Sequence, residues 1–516
     1  MDTRTRTVII VGGGSAGWIT AARVAARCRN TSADAVRVVL VESSNIETIG
    51  VGEGTWPTMR NTLRKSGITE TDFLRGCDAA FKQGAKFVGW TDGSAADSYY
   101  HPLNPPQGAP AINLSAHWER LHRDKGAAFA DCVDFQSTLC EAGLAPKAIT
   151  TPEYAAIANY AYHLDAGKFA TLLRAHSVNK LGVEHIVDDV IDVVQSENGD
   201  IKSLTLKRAG PLPGDLFIDC TGFAALLIGK TLGVPFKDCG DTLFVDNAIA
   251  IQVPYPDPNS PVVCHTLATA SGAGWIWDIG LPTRRGVGHV YSSRHMSHDE
   301  AESVVRRYIG SAAAGLTARQ IKIRAGHREK FWVRNCVAIG LSAGFLEPLE
   351  ASALMLIEHS VDFVADRLPA NRSVMDTLAA QFNTAFAHHW ERIVEFLKLH
   401  YALTKRDDTA FWRDNRDPAT LPDGLQQRLA LWRHHPPSAQ DFPHQPEVFS
   451  WPSYQYILHG MRFETNYAQL PHIETEMPLA QRCFEAAARA KTKWMSELPK
   501  HRDVLNKVRD YGLQTV

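Results

Sequence analysis

The chain has no CxxC or CxxH pair. Its nine cysteines (28, 77, 132, 140, 220, 239, 264, 336 and 483) are scattered and odd in number. That pattern argues against a disulfide framework or a zinc ribbon, predicts no metal site, and suits a reducing cytoplasm. An excess of charge is also missing: 54 Lys and Arg stand against 56 Asp and Glu, a formal net charge of -2. No global field therefore draws the protein to nucleic acid or an anionic membrane, and small molecules are the expected ligands. Long uncharged apolar runs are absent too. The stretch "TVIIVGGGSAGWITAARVAA" follows arginines as a signal peptide would, but a glycine triplet breaks it. There is no internal repeat and no low-complexity tract. What is present is a chain of 516 residues, 45% hydrophobic, long enough to bury a large cofactor.

The first motif is a βαβ unit. "RTVIIVGGGSAGWITAARVAARC" reads as a buried strand from Val8 to Val11, a glycine turn, and an alanine-rich helix from about Ala16; "AVRVVLVESS" adds a second strand ending on Glu42. Gly12, Gly14 and Gly17 form GxGxxG in the right setting, with Glu42 lying 25 residues beyond the last glycine. Such glycines let a pyrophosphate approach a helix N-terminus, and the acid can accept from a ribose. The polar "RNTSADA" reads as a loop insertion that lengthens the gap. A glycine turn that only packs helix on sheet is the competing reading.

Two later returns of the chain, "DLFIDCTGFAALLIG" (215–229) and "NCVAIGLSAGFLEPLEASALMLI" (335–357), resemble the second and third FAD contacts of the flavin monooxygenase fold, so FAD is favoured over NAD. Period-two alternation in "KSLTLKR" and "GVGHVYSS" predicts a further sheet. From about residue 351 long amphipathic patterns predict a mainly helical region, interrupted by an irregular proline-rich connection over 432–454. The fold class is therefore α/β: a Rossmann-like FAD-binding flavin monooxygenase fold with an added substrate sheet and a mainly helical C-terminal region. Its expected modules are 1–350 and 351–516, joined as one unit. In "FKQGAKFVGW" (81–90), Lys82 and Lys86 are spaced one helical turn apart among apolar neighbours, an unusual place for amines.

Eight segments together resemble the flavin-dependent tryptophan halogenases over essentially the whole chain. They are "GGGSAGW", "IGVGEGTWP" (49–57), "FKQGAKFVGW", "YYHPL" (99–103), "YAYHLDA" (160–166), "GWIWDIGL" (274–281), "IGLSAGFLEPLEAS" (339–352) and "KRDDTAFW" (405–412). Trp275 and Trp277 resemble the family's WxWxIP signature, although Gly280 stands where proline is usual and proline arrives only at Pro282. On their own, two alternate tryptophans would be read as a strand burying aromatic bulk.

The resemblance implies a reaction. Reduced FAD and dioxygen give a flavin hydroperoxide, halide (chloride or bromide) attacks it, and the hypohalous acid travels to a lysine beside an aromatic substrate. Lys82 matches that lysine; its amine can hold the oxidant next to one ring carbon. Glu350 matches the family's glutamate, suited to taking the proton that electrophilic substitution releases; Glu347 is expected to be structural, and Lys86 to extend a wet head from an apolar stem. Ser352 and Ala353 match the halide site, with alanine in place of glycine where positive φ costs more. The flavin contacts carried over are Gly13, Ala16, Ser43, Ile46, Gly54, Leu341 and Leu354, beside Gly12, Gly14, Gly17 and Glu42. A separate NAD(P)H-dependent flavin reductase is the implied partner. His101 is the implied ring contact. At the substrate's head, Tyr454 is followed by Gln455, and Met461 stands where an acid is usual, so the expected substrate is indole or another aromatic without an amino-acid head. An FAD-dependent aromatic hydroxylase is the alternative activity.

Overall fold

The computed structural model describes residues 4–28, 35–45, 52–444, 447–467 and 470–515. Ile46 and most of the "RNTSADA" insertion lie outside them. The chain forms two compact units. One comprises 1–79, 164–239 and 324–390; the other comprises 80–163, 240–323 and 391–516. Each is assembled from three separate stretches, so the unit edges do not coincide with the single 350/351 boundary read from the sequence.

The first unit is built on a six-stranded sheet in the spatial order Trp332–Val333, Cys336–Ala338, Leu216–Asp219, Thr7–Val11, Arg37–Glu42, Glu184–Val187. All neighbours are parallel except the first pair, with Val8 opposite both Val38 and Leu216. The central strands are near-continuous apolar runs, the pattern of strands buried on both faces. The helix Ser15–Arg27 follows the glycine turn and packs against the helices Ala166–Leu181 and Ser352–Asp366. Small residues on that helix allow close approach, and Arg23 reaches Asp362 at 2.6 Å, an acid that Lys65 also meets at 2.7 Å. "KSLTLKR" falls in a separate antiparallel meander over 190–213.

The second unit carries a seven-stranded sheet in the order Ala318–Lys322, Asn247–Pro254, Arg284–Tyr291, Gly274–Gly280, Thr266–Ser271, Gly84–Val88, Ser98–Pro102. Trp277 lies opposite Gly288, and a Cβ on that glycine would fall 2.0 Å from the indole ring. "KRDDTAFW" clasps the same sheet: Trp412 donates to the Ser271 carbonyl at 2.9 Å, Thr409 to that of Gly272 at 2.7 Å, and the Arg406 guanidinium lies 4.6 Å from the Trp412 ring centroid. The helix Trp451–Gly460 packs on the strand Ser98–Pro102. The 31-residue helix Arg372–Ala402 runs through the edge at 390/391.

Two local expectations are corrected. Lys82 and Lys86 are not on a helix: Ala80–Lys82 and Gly84–Val88 are strands, joined at Gln83. Gly84 has φ +154°, and a Cβ there would stand 2.6 Å from the His101 carbonyl oxygen, so the pairing with Ser98–Pro102 overrides the helical spacing. The proline-rich stretch is irregular only in part. It gives way to a helix at Trp451 because Pro452 sits in the first turn, where its missing N–H has no intrahelical partner to lose.

Candidate functional site

In the first unit, the glycine turn is a cradle shaped by its neighbours. Gly12 has φ +115°, and an added Cβ on Gly13 would fall 1.5 Å from Oε2 of Glu42, so the turn lies directly against the end of the second strand. An added Cβ on Gly14 would meet no atom of the described residues within 4 Å. Gly14 is the N-cap of the helix that begins at Ser15 and carries Ala16 and Gly17 in its first turn; no side chain among the described residues caps it and no acid occupies its first turn. Free amides facing open space fit a pyrophosphate. Glu42 accepts from His185 Nε2 at 2.7 Å through Oε1, and Ser43 donates to Asp189 at 2.6 Å. The third return of the chain approaches the same turn, since a Cβ on Gly340 would stand 2.7 Å from the Ala16 methyl. Leu341 is in the 3-10 turn Gly340–Ser342, Gly54 in the short strand Gly52–Gly54, and Leu354 is buried in the helix Ser352–Asp366. These residues fit a dinucleotide such as FAD.

Glu350 is buried, and its carbonyl accepts from the Trp56 indole at 2.7 Å. Trp56, from the "IGVGEGTWP" segment, is thereby tied directly to the glutamate's backbone. Ala351 then takes φ +53° as N-cap of the helix Ser352–Asp366. The strained conformation therefore falls on Ala351, and Ala353 has ordinary helical geometry. Ala353 lies two residues beyond Ala351, inside the helix. The amides of Ser352 and Ala353 are the first two of the helix and have no intrahelical acceptor, and no acid shares that first turn. Five residues beyond Ala353, Glu358 is buried and accepts from Thr62 at 2.5 Å and Thr58 at 3.2 Å; burial pushes its carboxyl up to about 8. Glu347 is buried too.

In the second unit, Lys82 is 5% exposed, at the end of a strand paired with Ala161–Asp165 so that Lys82 faces Ala161 and Ala80 faces His163. Residues two apart on a strand share a face, which brings His163 diagonally beside Lys82. His163 is hydrogen-bonded to Thr266 at 2.9 Å; burial and the Lys82 charge hold its pKa well below the usual histidine range. The strip is fixed on both sides of the lysine. Phe81 N–H donates to His501 Nε2 at 3.1 Å while His501 Nδ1 donates to the Val262 carbonyl at 2.9 Å, which sets the neutral tautomer. Gln83 N–H donates to the Cys264 carbonyl at 2.7 Å, and the Gln83 side chain donates to the Leu144 carbonyl at 2.7 Å. Lys86, by contrast, pairs with Glu141 and lies 5.4 Å from the Tyr100 ring centroid, a half-buried structural contact.

His101 is buried, with its ring 5.9 Å from Phe396 and 6.2 Å from Tyr456. Tyr454 is 1% exposed among Phe396, Phe442 and Trp432; its hydroxyl has no partner among the described residues, and burial raises its pKa. Gln455 donates to Asn113 at 2.7 Å and to the Pro437 carbonyl at 2.9 Å, and Met461 is fully buried. The sequence reading missed Trp56, His163, His501 and Glu358. Trp56 and His163 lie inside segments already singled out; His501 and Glu358 carry no local signal.

Among the described residues no helix is long and apolar enough to cross a membrane. The family model for tryptophan halogenase matches residues 7–475. The 7-chloro-L-tryptophan 6-halogenase of Kutzneria sp. (strain 744) is 36% identical, over 97% of this chain and 99% of that protein. Two solved structures align over nearly their whole lengths. The tryptophan halogenase of Shewanella frigidimarina NCIMB 400 does so at 45% identity with TM-score 0.96, covering 100% of this chain and 99% of that one. A flavin-dependent halogenase from Brevundimonas sp. BAL3 does so at 33% identity with TM-score 0.86, covering 98% and 99%. With two flavin-type returns, a βαβ glycine turn and a buried strand-end lysine already in place, these matches mean that the chain belongs to the tryptophan halogenase family.

Proposed function

We propose that the chain is a flavin-dependent halogenase that uses reduced FAD, dioxygen and chloride or bromide to halogenate an electron-rich aromatic ring. Bound in its reduced form, FAD supplies the electrons that reduce dioxygen and so the oxidising equivalent that the halide needs. The glycine turn at Gly12–Gly14, with Ala16, Gly17, Glu42, Ser43, Gly54, Leu341 and Leu354, is the group of residues that would hold it, and Ile46 joins them by family position.

The observation that carries the reading is Lys82: a buried amine at a strand end, with both flanking amides committed to fixed acceptors and a neutral histidine beside it. An amine so placed can hydrogen-bond hypohalous acid, or take the halogen as a haloamine, and present it to one ring position, so that geometry supplies the selectivity. His163 suits that task because a second cation would repel the electrophile. Glu350 is assigned the ring proton, and the free amides of Ser352 and Ala353 the halide. Neither assignment requires a metal.

The substrate expectation changes. Relatives are named for tryptophan and 7-chloro-L-tryptophan, which favours tryptophan over an indole without its amino-acid head. His101 and Tyr454 are kept as candidate substrate contacts. A separate NAD(P)H-dependent flavin reductase is the inferred partner.

The test is product mass spectrometry on purified protein with FAD, a flavin reductase, NADH and oxygen. Tryptophan and indole are compared, each with bromide, with chloride and without halide. A monohalogenated product that requires both halide and Lys82 is expected. Hydroxylated product formed equally without halide would overturn the assignment in favour of a hydroxylase.

A further inference from the structure

Cys140, Cys264 and His265 come from distant parts of the second unit. Cys140 is in the short helix Gln136–Glu141; Cys264 and His265 immediately precede the strand Thr266–Ser271. All three are buried, and one ligand atom from each, the two thiol sulfurs and a ring nitrogen, lies within 4.8 Å of the other two. Both cysteines are free thiols. The Cys264 thiol makes weak sulfur hydrogen bonds, to the Cys140 carbonyl at 3.9 Å and to the Cys140 and His265 side chains, and the His265 Nδ1 is buried with no geometrically aligned partner among the described residues. The Tyr100 ring closes over the histidine at 5.4 Å, edge to face.

A buried imidazole and two thiols held only by weak sulfur hydrogen bonds are poorly satisfied in an apolar setting. One thiophilic cation satisfies all three. We propose that Cys140, Cys264 and His265 bind a zinc ion. Two thiols lose their protons to solvent, two S–Zn bonds and one N–Zn bond form, and the two thiolate charges cancel the +2 of the metal, leaving a neutral unit suited to burial. Two sulfurs and one imidazole select zinc over hard cations such as magnesium or calcium, and a water completes the tetrahedron. No oxidant or reductant is involved. The absence of CxxC spacing does not speak against this site, because its ligands are brought together by the fold from positions 124 and 125 residues apart.

The metal's role is positional. Cys264 is the residue whose carbonyl receives the Gln83 amide, next to Lys82 in the chain. Zinc would pin the helix Gln136–Glu141 to the segment that holds the lysine strip, without touching the reacting atoms.

The experiment uses the full chain, expressed in zinc-supplemented medium and gel-filtered without chelator. Elemental analysis should give one equivalent of zinc. After removal of the metal, anaerobic cobalt(II) should give a sulfur-to-cobalt charge-transfer band in the near ultraviolet and intense tetrahedral bands in the red, both abolished by added zinc. Zinc should also raise the melting midpoint of the stripped protein. Cys140→Ser and Cys264→Ser should each lose the cobalt bands, while Cys239→Ser, outside the cluster, keeps them. The proposal fails if stripped, folded wild-type protein shows no charge-transfer band. It fails equally if metal content is unchanged in the Cys140→Ser/Cys264→Ser variant, or if the protein purified without reductant carries a Cys140–Cys264 disulfide. The wild-type spectrum decides the matter even if a serine variant does not fold.

Discussion

At the scale of single residues, the proposed chemistry rests on Lys82 and Glu350, both buried. Lys82→Ala should reduce halogenated product by at least about 100-fold, the loss that misplacing a reactive group incurs. Reduced flavin should continue to be oxidised by dioxygen, which separates loss of the lysine from loss of the cofactor; liquid chromatography with mass detection and oxygen uptake read the two. Glu350→Gln keeps the shape and the Trp56 contact, which uses the backbone carbonyl, but removes the base; a fall of about 10²- to 10⁴-fold in turnover is expected from loss of general-base help. Glu358 makes a contrasting test. Its carboxyl is raised to about 8 by burial, so the folded state favours the proton that the unfolded chain releases from about 4.5. Stability from this group is present at low pH and lost as pH rises through 8. Glu358→Gln should therefore shrink the fall in melting midpoint between acid and alkaline buffer while leaving the acid value nearly unchanged. Of these residues Lys82 and Glu350 were legible in the sequence through their motifs. Glu358 was not, because its significance lies in two threonines nearly 300 positions away.

At the scale of elements, the helix Ser352–Asp366 supplies the clearest handle. Its first amides are open, and proline is tolerated in a first turn. Ala353→Pro removes one of the two amides assigned to the halide; the expected result is a several-fold rise in the halide KM with little change in melting midpoint. A matching loss of folded protein would mean that the amide is needed for structure instead. Element reading from sequence succeeded where one periodicity ruled: the glycine turn and its flanking strands appeared at or within a few residues of their expected places, and long helices fill much of the region expected to be helical. It failed at Lys82 and Lys86, where a four-residue spacing looked helical. Two successive strand pairings, with Ala161–Asp165 and with Ser98–Pro102, decide that stretch, and neither pairing is encoded within it. The helix at Trp451 was missed for the opposite reason: proline was read as a breaker, although in a first turn it is compatible with helix.

At the scale of the whole molecule, titratable groups buried in opposite senses set the stability profile. Burial raises Glu395 to about 7 and Asp134 to about 6, alongside Glu358; their stabilisation is lost as pH rises. Burial lowers His289 to about 4 and His459 to about 3. Those histidines fold neutral, so their contribution is full above about 6.5 and lost as pH falls toward their folded values. The two losses run in opposite directions, which places the maximum of the melting midpoint between about pH 5 and 7; differential scanning calorimetry across pH 4 to 9 checks it. A midpoint rising steadily to pH 9 would contradict the assignment of the carboxyls.

The sequence by itself determined the βαβ unit and the family, and singled out Lys82 and Glu350 as the residues proposed to react, because each is carried by a short motif. The tertiary structure alone decided what surrounds them. His501 takes its hydrogen bond from Phe81 across 420 positions, and Trp56 reaches Glu350 across 294. Cys140 meets Cys264 and His265 only when the helix and the strand are packed. Burial, tautomer and ligand grouping are properties of atoms brought together in space, and desolvation acts on a side chain only after its neighbours have displaced the water.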